Sequence, residues 1–142
     1  MFDDKDKKIV EILRVSGREP ASSISEKLGI SVPTIIDRIK KMQDSGIIKG
    51  YKAVLDTKKM GLDVSAIITI ISESSSEYGP FIDQVNKETE ISKCYTTTGN
   101  GSHVLLINTK NSDSLEKLLR NIQQWPGVSR TETQIILTSY KN

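Results

Sequence analysis

The sequence is short of the residues that extracellular, membrane-spanning and metal-dependent proteins use. Cys94 is its single cysteine, which excludes an intrachain disulfide. His103 is its single histidine, so neither the spacing of a zinc site nor a cysteine–histidine nucleophile pair is available. The chain has no apolar run of about 18 residues, and its opening MFDDKDKK lacks the apolar region of a signal peptide. We therefore predict a cytoplasmic protein with no membrane contact, no metal and no cofactor.

Aromatic residues are also scarce, at 5% of the chain, so the hydrophobic core must be built mainly from Ile, Leu and Val. The length of 142 residues fits one domain or two small ones. Glycine-rich phosphate loops are missing, because the run Gly99-Asn100-Gly101 is too short for a dinucleotide or P-loop fingerprint. Since no catalytic constellation is visible either, we predict that the protein is not an enzyme.

What the chain does have is an uneven distribution of charge. The net charge is only +2, but residues 1–52 carry 11 basic against 8 acidic side chains, whereas residues 53–142 carry 9 against 10. Within residues 38–52, five basic residues stand against Asp44 alone. A local excess of lysine and arginine is typical of nucleic-acid binding, so the first part of the chain is the candidate for that function.

Residues 21–41 (ASSISEKLGISVPTIIDRIKK) have the pattern of two short amphipathic helices joined at Gly29. Ser22 or Ser23 could cap the first helix, and Ser31 is a candidate N-cap for the second. At about 100° per residue, the second helix gathers an apolar face that consists of Ile35, Ile36, Ile39 and Met42. Its other face is polar and basic, and consists of Thr34, Asp37, Arg38, Lys40 and Lys41. This pattern predicts a helix-turn-helix that binds DNA.

Residues 4–15 have apolar side chains at helical spacing and supply the third helix that a helix-turn-helix needs for its core. The β-branched stretch at residues 47–56 (IIKGYKAVLD) predicts an extended strand or wing. The polar stretch that follows it is the expected connection to the rest of the chain. We therefore place a winged helix-turn-helix domain at residues 1–52, followed by a linker strand and connection at residues 53–63.

From residue 64 onward, the hydrophobic pattern alternates between the periods of strands and helices. The predicted order is strand, helix, strand, strand, helix, strand, at residues 64–71, 78–88, 91–98, 103–109, 112–124 and 128–138. This order is the ferredoxin-like βαββαβ arrangement, so residues 64–142 form the second domain of an α+β protein. Both helices cover one face of the sheet, and a second copy of the chain is the simplest cover for the other. We therefore predict a homodimer, with Leu106 and Ile136 on the covered face.

Several longer runs carry a family resemblance. They are the opening DDKDKKIVEIL, the end of the second helix IDRIKKMQDSG, the following GIIKGYKAVLDTKKMGL, and the later runs CYTTTGNGSHVLL and PGVSRTET. In this order and spacing, they resemble the leucine-responsive/asparagine-responsive (Lrp/AsnC, feast/famine) transcription regulators over nearly the whole chain. The resemblance implies a winged helix-turn-helix for promoter DNA. It also implies a ferredoxin-like domain that dimerises, assembles further to an octamer and senses a small amino acid.

The helix-turn-helix frame gives roles to the polar residues of the second helix and of the segment after it. Thr34 and Arg38 are the candidates for contacts with base edges, and Ser31 is expected to cap the helix and touch phosphate. Arg38 could instead pair with Asp37, Glu26 or a phosphate. The lysines are expected at phosphates, where they add affinity without reading sequence: Lys40, Lys41, Lys49 and Lys52.

In members of the Lrp/AsnC family, the effector lies around the loop that joins the second and third strands of the sensing domain. The matching residues here are Thr98, Gly99, Asn100, Gly101, Ser102 and His103. Many members hold the ammonium of an amino acid with acidic residues where this chain has Asn100 and Ser102. Neutral oxygens accept hydrogen bonds but supply no opposite charge, and a simple hairpin turn is the alternative. Glu132 of a neighbouring subunit could bring the missing charge.

Two further functions stay open from the sequence. A related branch with the same two-domain architecture decarboxylates sirohaem, which would require a basic pocket in the second domain. The basic second helix, and the scarcity of His and Arg after residue 60, speak against such an enzyme. The other possibility is a protein that organises DNA without sensing an effector.

Overall fold

The computed structural model describes residues 1–73 and 78–141. The chain divides into two compact units, Met1–Val54 and Leu55–Asn142. Each unit has its own cluster of buried apolar side chains. In the described part of the chain, no helix combines the length and apolar content that crossing a membrane requires.

Helices form the first unit: α1 (Asp4–Val15), α2 (Ala21–Leu28) and α3 (Val32–Asp44). Each helix turns one apolar face inward, as its periodicity predicts. The core consists of one residue each from α1 and α2 and two from α3: Ile9, Ile24, Ile35 and Met42. Since none of these side chains is aromatic, the first core is aliphatic throughout, apart from the sulfur of methionine.

The turn between α2 and α3 depends on Gly29, whose φ of 65° lies in the left-handed region that favours glycine. The predicted cap of α2 is wrong. Pro20 takes the N-cap position, and Ser22 and Ser23 lie inside the helix. Ser23 instead donates a side-chain hydrogen bond to the carboxylate of Glu19. Proline starts the helix here because its fixed φ is compatible with the extended backbone that precedes a first turn.

The predicted wing strand is also wrong for the single chain. The structure describes all of residues 47–56 and assigns none of them to a strand. A strand needs a neighbour for its backbone hydrogen bonds, and the first unit offers only helices. After Gly46 turns the chain, the Ile48 N–H donates to the Met42 carbonyl at 3.0 Å, and Ile48 packs on the core. Beyond this anchor the segment leaves large apolar side chains exposed, namely Tyr51, Val54 and Leu55.

The second unit contains the elements β1 (Val64–Ile71), α4 (Tyr78–Lys87), β2 (Ile91–Thr96), β3 (His103–Thr109), α5 (Ser112–Gln123) and β4 (Arg130–Ile135). The four strands are antiparallel and lie in the order β2-β3-β1-β4. This is the predicted ferredoxin-like arrangement. Strand β2 ends at Thr96 and not at residue 98, where the chain enters the loop before β3, and β4 is shorter than predicted at both ends.

The alternation of side chains on β1 and β3 decides where the second core lies. Ile68 is opposite Leu105 in the strand register, and both are fully buried. Residues directly opposite in an antiparallel pair point to the same face. This face packs against apolar residues of α4 and α5, among them Phe81, Leu118 and Ile122. The helices therefore cover one side of the sheet only.

The other face of the sheet carries the intervening residues. Leu106 is opposite Ile67, and both are only half-buried. Ile136 follows the end of β4, and its N–H donates to the Ser65 carbonyl at 2.8 Å, which continues the alternation. The prediction that Leu106 and Ile136 lie on the face away from the helices is confirmed.

Ile24→Ala should destabilise the first unit by about 2–5 kcal/mol, because this fully buried side chain leaves a cavity. Val15→Ala is the matched control, since Val15 is exposed in the same unit, and its effect should stay within about 0.5 kcal/mol. Native-state hydrogen exchange, measured separately for the amides of each unit, gives both values. An equal loss of protection in the second unit would show that the two cores do not unfold independently.

Candidate DNA-binding helix and effector loop

Ser31 and Thr34 are held together at the exposed start of α3. The Oγ of Ser31 accepts a long hydrogen bond of 3.4 Å from the Thr34 N–H and donates one of 2.8 Å to Thr34 Oγ1. Pro33 lies in the first turn, where the helix requires no N–H from it. The predicted N-cap of α3 is therefore confirmed, and the Thr34 hydroxyl is already oriented by its neighbour.

The outward face of α3 is basic, but it also carries a large apolar side chain. Lys40 and Lys41 are exposed, and Lys41 Nζ lies 3.0 Å from the carboxylate of Asp37, one turn earlier. Ile36 was expected on the core side, yet it is 56% exposed. It stands about 100° around the helix from the buried Ile35, too far to reach the same core. Ile36 is thus a surface residue, and its predicted place on the apolar face of α3 is wrong.

Arg38 turns toward α1 instead of outward with the lysines. Its Nη1 lies 2.7 Å from both carboxylate oxygens of Asp3 and 3.1 Å from Asp6 Oδ1. The hydrogen bond from Arg38, aided by one from the Asp6 N–H, lowers the pKa of Asp3 to about 2. The predicted grouping of Arg38 with the exposed face is wrong, and its partners are not Asp37 or Glu26. The sequence missed them because they lie more than 30 residues away.

Lys49 and Lys52 follow α3 on the segment without strand pairing, and both are exposed. Ile48 anchors the start of that segment to the core, which holds Lys49 close to the end of α3. Lys52 lies farther along the chain from this anchor. The structure therefore holds Lys49 near the end of α3. Lys52 lies on a segment that is not assigned to a strand.

The candidate effector loop, residues 97–102, joins β2 to β3 in the second unit. Thr98, Gly99 and Asn100 are exposed at its tip. At its base, the Ser102 N–H donates to the Ile70 carbonyl at 2.8 Å. The loop is therefore tied to the end of β1, while its tip is open to solvent.

Gly101 is required because the loop packs closely on β1. A Cβ at this position would clash with Thr69 Cγ2 and lie 3.1 Å from the Ile70 carbonyl oxygen. Gly99 is required for a different reason, since its φ of 101° is rare for residues with a side chain. The two glycines shape the loop and offer a ligand only their backbones.

His103 belongs to the core and not to the exposed loop. It is 1% exposed, and its ring centroid lies 4.7 Å from those of both Tyr78 and Phe81. Ser102 Oγ lies 2.9 Å from its Nδ1, and Ser102 is buried as well. Burial lowers the pKa of His103, so the imidazole is neutral at neutral pH. Ser102 and His103, both predicted as effector-binding residues, thus lie behind the loop and not at its exposed tip.

Glu132 lies on β4 directly opposite Thr69, the residue against which Gly101 packs. Its carboxylate is exposed and lies 3.5 Å from Arg130 Nη2. The prediction brought Glu132 from a neighbouring subunit. Within one chain, however, Glu132 already lies on the strand next to β1, opposite Thr69.

The described residues show no group of three His, Cys, Asp or Glu side chains that could hold a metal ion. Cys94 is half-buried against the second core, and burial raises the pKa of its thiol. A thiol in this environment behaves as a small apolar side chain.

Comparisons with known proteins match both units. Residues 2–49 match the family model for winged helix-turn-helix DNA-binding domains. Residues 65–142, more than half of the chain, match the model for the Lrp/AsnC ligand binding domain. The two matches fall on the unit that contains α3 and on the unit that contains the loop.

Individual relatives cover nearly the whole chain. The HTH-type transcriptional regulator FL11 of Pyrococcus horikoshii is 37% identical over 140 residues, which are 99% of this chain and 92% of FL11. The structure of E. coli AsnC has a TM-score of 0.86 at 31% identity and covers 98% of this chain and 94% of its own. A feast or famine regulatory protein from M. tuberculosis, complexed with L-methionine, has a TM-score of 0.92 at 28% identity, with 100% and 96% covered. The chain belongs to the Lrp/AsnC family of transcription regulators.

Proposed function

We propose that this protein is a sequence-specific regulator that inserts α3 into the major groove of promoter DNA and responds to a small amino acid. The DNA-binding part rests on one observation: α3 is a capped helix in a helix-turn-helix unit, and its outward face is basic, with Ile36 exposed among the polar side chains. The major groove of B-DNA is wide enough to admit one such helix. The protein would act in the cytoplasm, beside the DNA that it controls.

The contacts divide by chemistry. Phosphate contacts are assigned to the exposed lysines and to the hydroxyl at the helix start: Lys40, Lys41, Lys49, Lys52 and Ser31. Thr34 and Ile36 are assigned to base edges, where a hydroxyl can hydrogen-bond and an exposed aliphatic group can meet the methyl of thymine. Arg38 is left out of this set because two carboxylates already hold its Nη1.

The effector site is assigned to the exposed tip of the loop, Thr98, Gly99 and Asn100, together with Glu132. Asn100 can accept a hydrogen bond from an ammonium group, and Glu132 can supply the opposite charge that the loop lacks. The match to a ligand-binding domain and the L-methionine complex of the M. tuberculosis relative support an amino acid as the ligand. The other predicted residues shape the loop from behind: Gly101, Ser102 and His103.

A homodimer, assembled further to an octamer, is the proposed form. The sheet face opposite the helices carries Leu106 beside Ile67, and Tyr95 on β2 is exposed on the same face. Two such faces can pack about 10 Å apart and remove their apolar side chains from water. A dimer would also place two copies of α3 in successive major grooves.

One alternative has an observation in its favour. The neutral tip of the loop at Asn100 would suit a protein that organises DNA without sensing an effector, and a ligand screen separates it from a sensor. A sirohaem decarboxylase has no comparable support, since the relatives described above are transcription regulators.

Lys40→Ala should weaken binding to all duplexes alike, because the lost contact is to phosphate. The slope of log affinity against log salt concentration should become shallower by about 0.9. Fluorescence anisotropy with DNA from upstream of the protein's own coding region, and with a scrambled duplex, measures both quantities. Lys87→Ala, an exposed lysine of the second unit, should bind as the wild type does. A loss confined to the upstream duplex would contradict the phosphate role.

Asn100→Asp should tighten the binding of a free amino acid, because a carboxylate forms a stronger hydrogen bond with ammonium than an amide does. The expected gain is about fivefold, corresponding to about 1 kcal/mol. Isothermal titration with the L-amino acids that raise the melting temperature of the wild type measures it. Asn121→Asp, at an exposed position on α5, is the control and should not change the affinity. If no amino acid binds either the wild type or Asn100→Asp, the effector assignment fails.

Leu106→Lys should convert the dimer to a folded monomer, because an ammonium group would be buried between the two sheets. Asn121→Lys makes a comparable change of charge on the helix side and should leave the dimer intact. Light scattering gives the mass of each variant, and circular dichroism checks the fold. A folded Leu106→Lys protein with the mass of the wild type would place the interface elsewhere.

A further inference from the structure

The side chain of Arg38 has an environment unlike that of the other basic residues of α3. Its Nη1 contacts three carboxylate oxygens, two from Asp3 at 2.7 Å and one from Asp6 at 3.1 Å. The Arg38 side chain is 24% exposed, whereas that of Lys41 is 75% exposed. Arg38 is thus drawn to the flank of α3 that faces α1.

The two carboxylates are themselves fixed by the start of α1. Asp3 is the N-cap of this helix, and its Oδ1 accepts a hydrogen bond of 3.0 Å from the Asp6 N–H. Asp6 Oδ2 in turn accepts one of 3.3 Å from the Asp3 N–H, which completes a capping box. The first turn of α1 is therefore a preformed receptor for one cation, and Arg38 supplies that cation from α3.

Withdrawing Arg38 toward a base would be costly. The side chain of Asp6 is only 7% exposed, and a buried carboxylate without a cation is strongly unfavourable. Asp3 and Asp6 would also be left as two neighbouring like charges on the unit that approaches DNA. The ion pair is therefore expected to persist when the protein binds.

Directional contacts of this kind can fix the angle between two helices, which the apolar core cannot. Ile9, Ile35 and Met42 hold α1 against α3, but apolar contacts are non-directional and allow small rotations and shifts. Charge-assisted hydrogen bonds fix both distance and angle. The contacts of Arg38 are thus of the kind that can fix how α3 is rotated, and with it the direction in which Thr34, Ile36 and Lys40 point.

We propose that Arg38 is a positioning residue, which Asp3 and Asp6 hold so that α3 presents its outward face to DNA at a fixed angle, and that it does not itself read a base. This inference rests on the proposed function of α3 as the DNA-binding helix. It goes beyond that function by giving the acidic start of α1 a part in sequence-specific recognition.

The decisive variant is Asp3→Ser. Serine is a strong N-cap, so α1 keeps its start, but its short hydroxyl does not reach Arg38. If Arg38 positions the helix, this change should weaken binding to the specific duplex by about three- to tenfold, even though it removes a negative charge from the DNA-binding unit. If Arg38 reads a base, loosening it from Asp3 should leave affinity unchanged or raise it.

Arg38→Gln and the double variant Asp3→Ser/Arg38→Gln complete the cycle. Positioning predicts that the double variant loses no more than Arg38→Gln alone, because Asp3 acts on the DNA-binding helix only through Arg38. It also predicts that the salt slope stays within about 0.3 of the wild-type value, since no phosphate contact is lost. Additive losses, or a slope that becomes shallower by about 0.9 in Arg38→Gln, would overturn the proposal.

Two further variants protect the test against unfolding. Arg38→Lys should retain wild-type binding within about threefold, because the three contacts converge on one nitrogen that an ammonium group can imitate. Asp4→Ser is the matched control, since Asp4 is an exposed neighbour whose carboxylate lies 3.8 Å from Lys7 Nζ. Circular dichroism at the assay temperature checks that each variant is folded. Loss of binding in Asp4→Ser, or full loss in Arg38→Lys, would overturn the proposal.

DNA binding by the wild-type protein tests the proposed function separately from the role of Arg38. Salt-dependent preference of the wild type for one duplex supports DNA recognition, and the variants then decide the role of Arg38. Failure of the wild type to bind any duplex would overturn DNA recognition itself, and positioning with it.

Discussion

The ion pair between Arg38 and the start of α1 joins two helices of the first unit, α1 and α3, by directional contacts. The first core is small and aliphatic, and it holds the helices together without fixing their angles. Asp3 and Asp6 add direction, because their carboxylates are oriented by the capping box of α1 before they meet Arg38. In the proposed function, this one cluster of charges joins the start of α1, its contact with α3 and the orientation of the DNA-binding face.

In the second unit, the corresponding constraint is that successive side chains of β1 and β3 point to opposite faces of the sheet. Ile68 and Leu105 face the helices and are fully buried, which leaves Ile67 and Leu106 on the opposite face. The same alternation carries His103 into the core and ties the loop before it to β1 through Ser102. One backbone pattern therefore separates the surface available to a second subunit from the loop available to a ligand.

Much of this could be predicted from the sequence, because periodicity and local turn chemistry determine it. The bounds of α1 and β1, the cap at Ser31 and the turn at Gly29 are all local features. The failures share a cause, since each depends on contacts distant in sequence. Arg38 pairs with residues more than 30 positions away, and Ile36 is exposed because the three-helix core reaches only part of the apolar stripe. The segment at residues 47–56 has strand-forming residues but no neighbouring strand in its own unit.

The close packing of Gly101 on Thr69 has a consequence for how this regulator could change its ligand. Any side chain at position 101 would push the loop off β1, whereas Thr98 and Asn100 stand clear of the sheet. The loop thus has a fixed base and a replaceable tip. With the ligand site at the tip, as proposed, new ligand preferences can arise through substitutions there alone. Such substitutions would cost the domain little stability and would not change the DNA sequence that the first unit recognises.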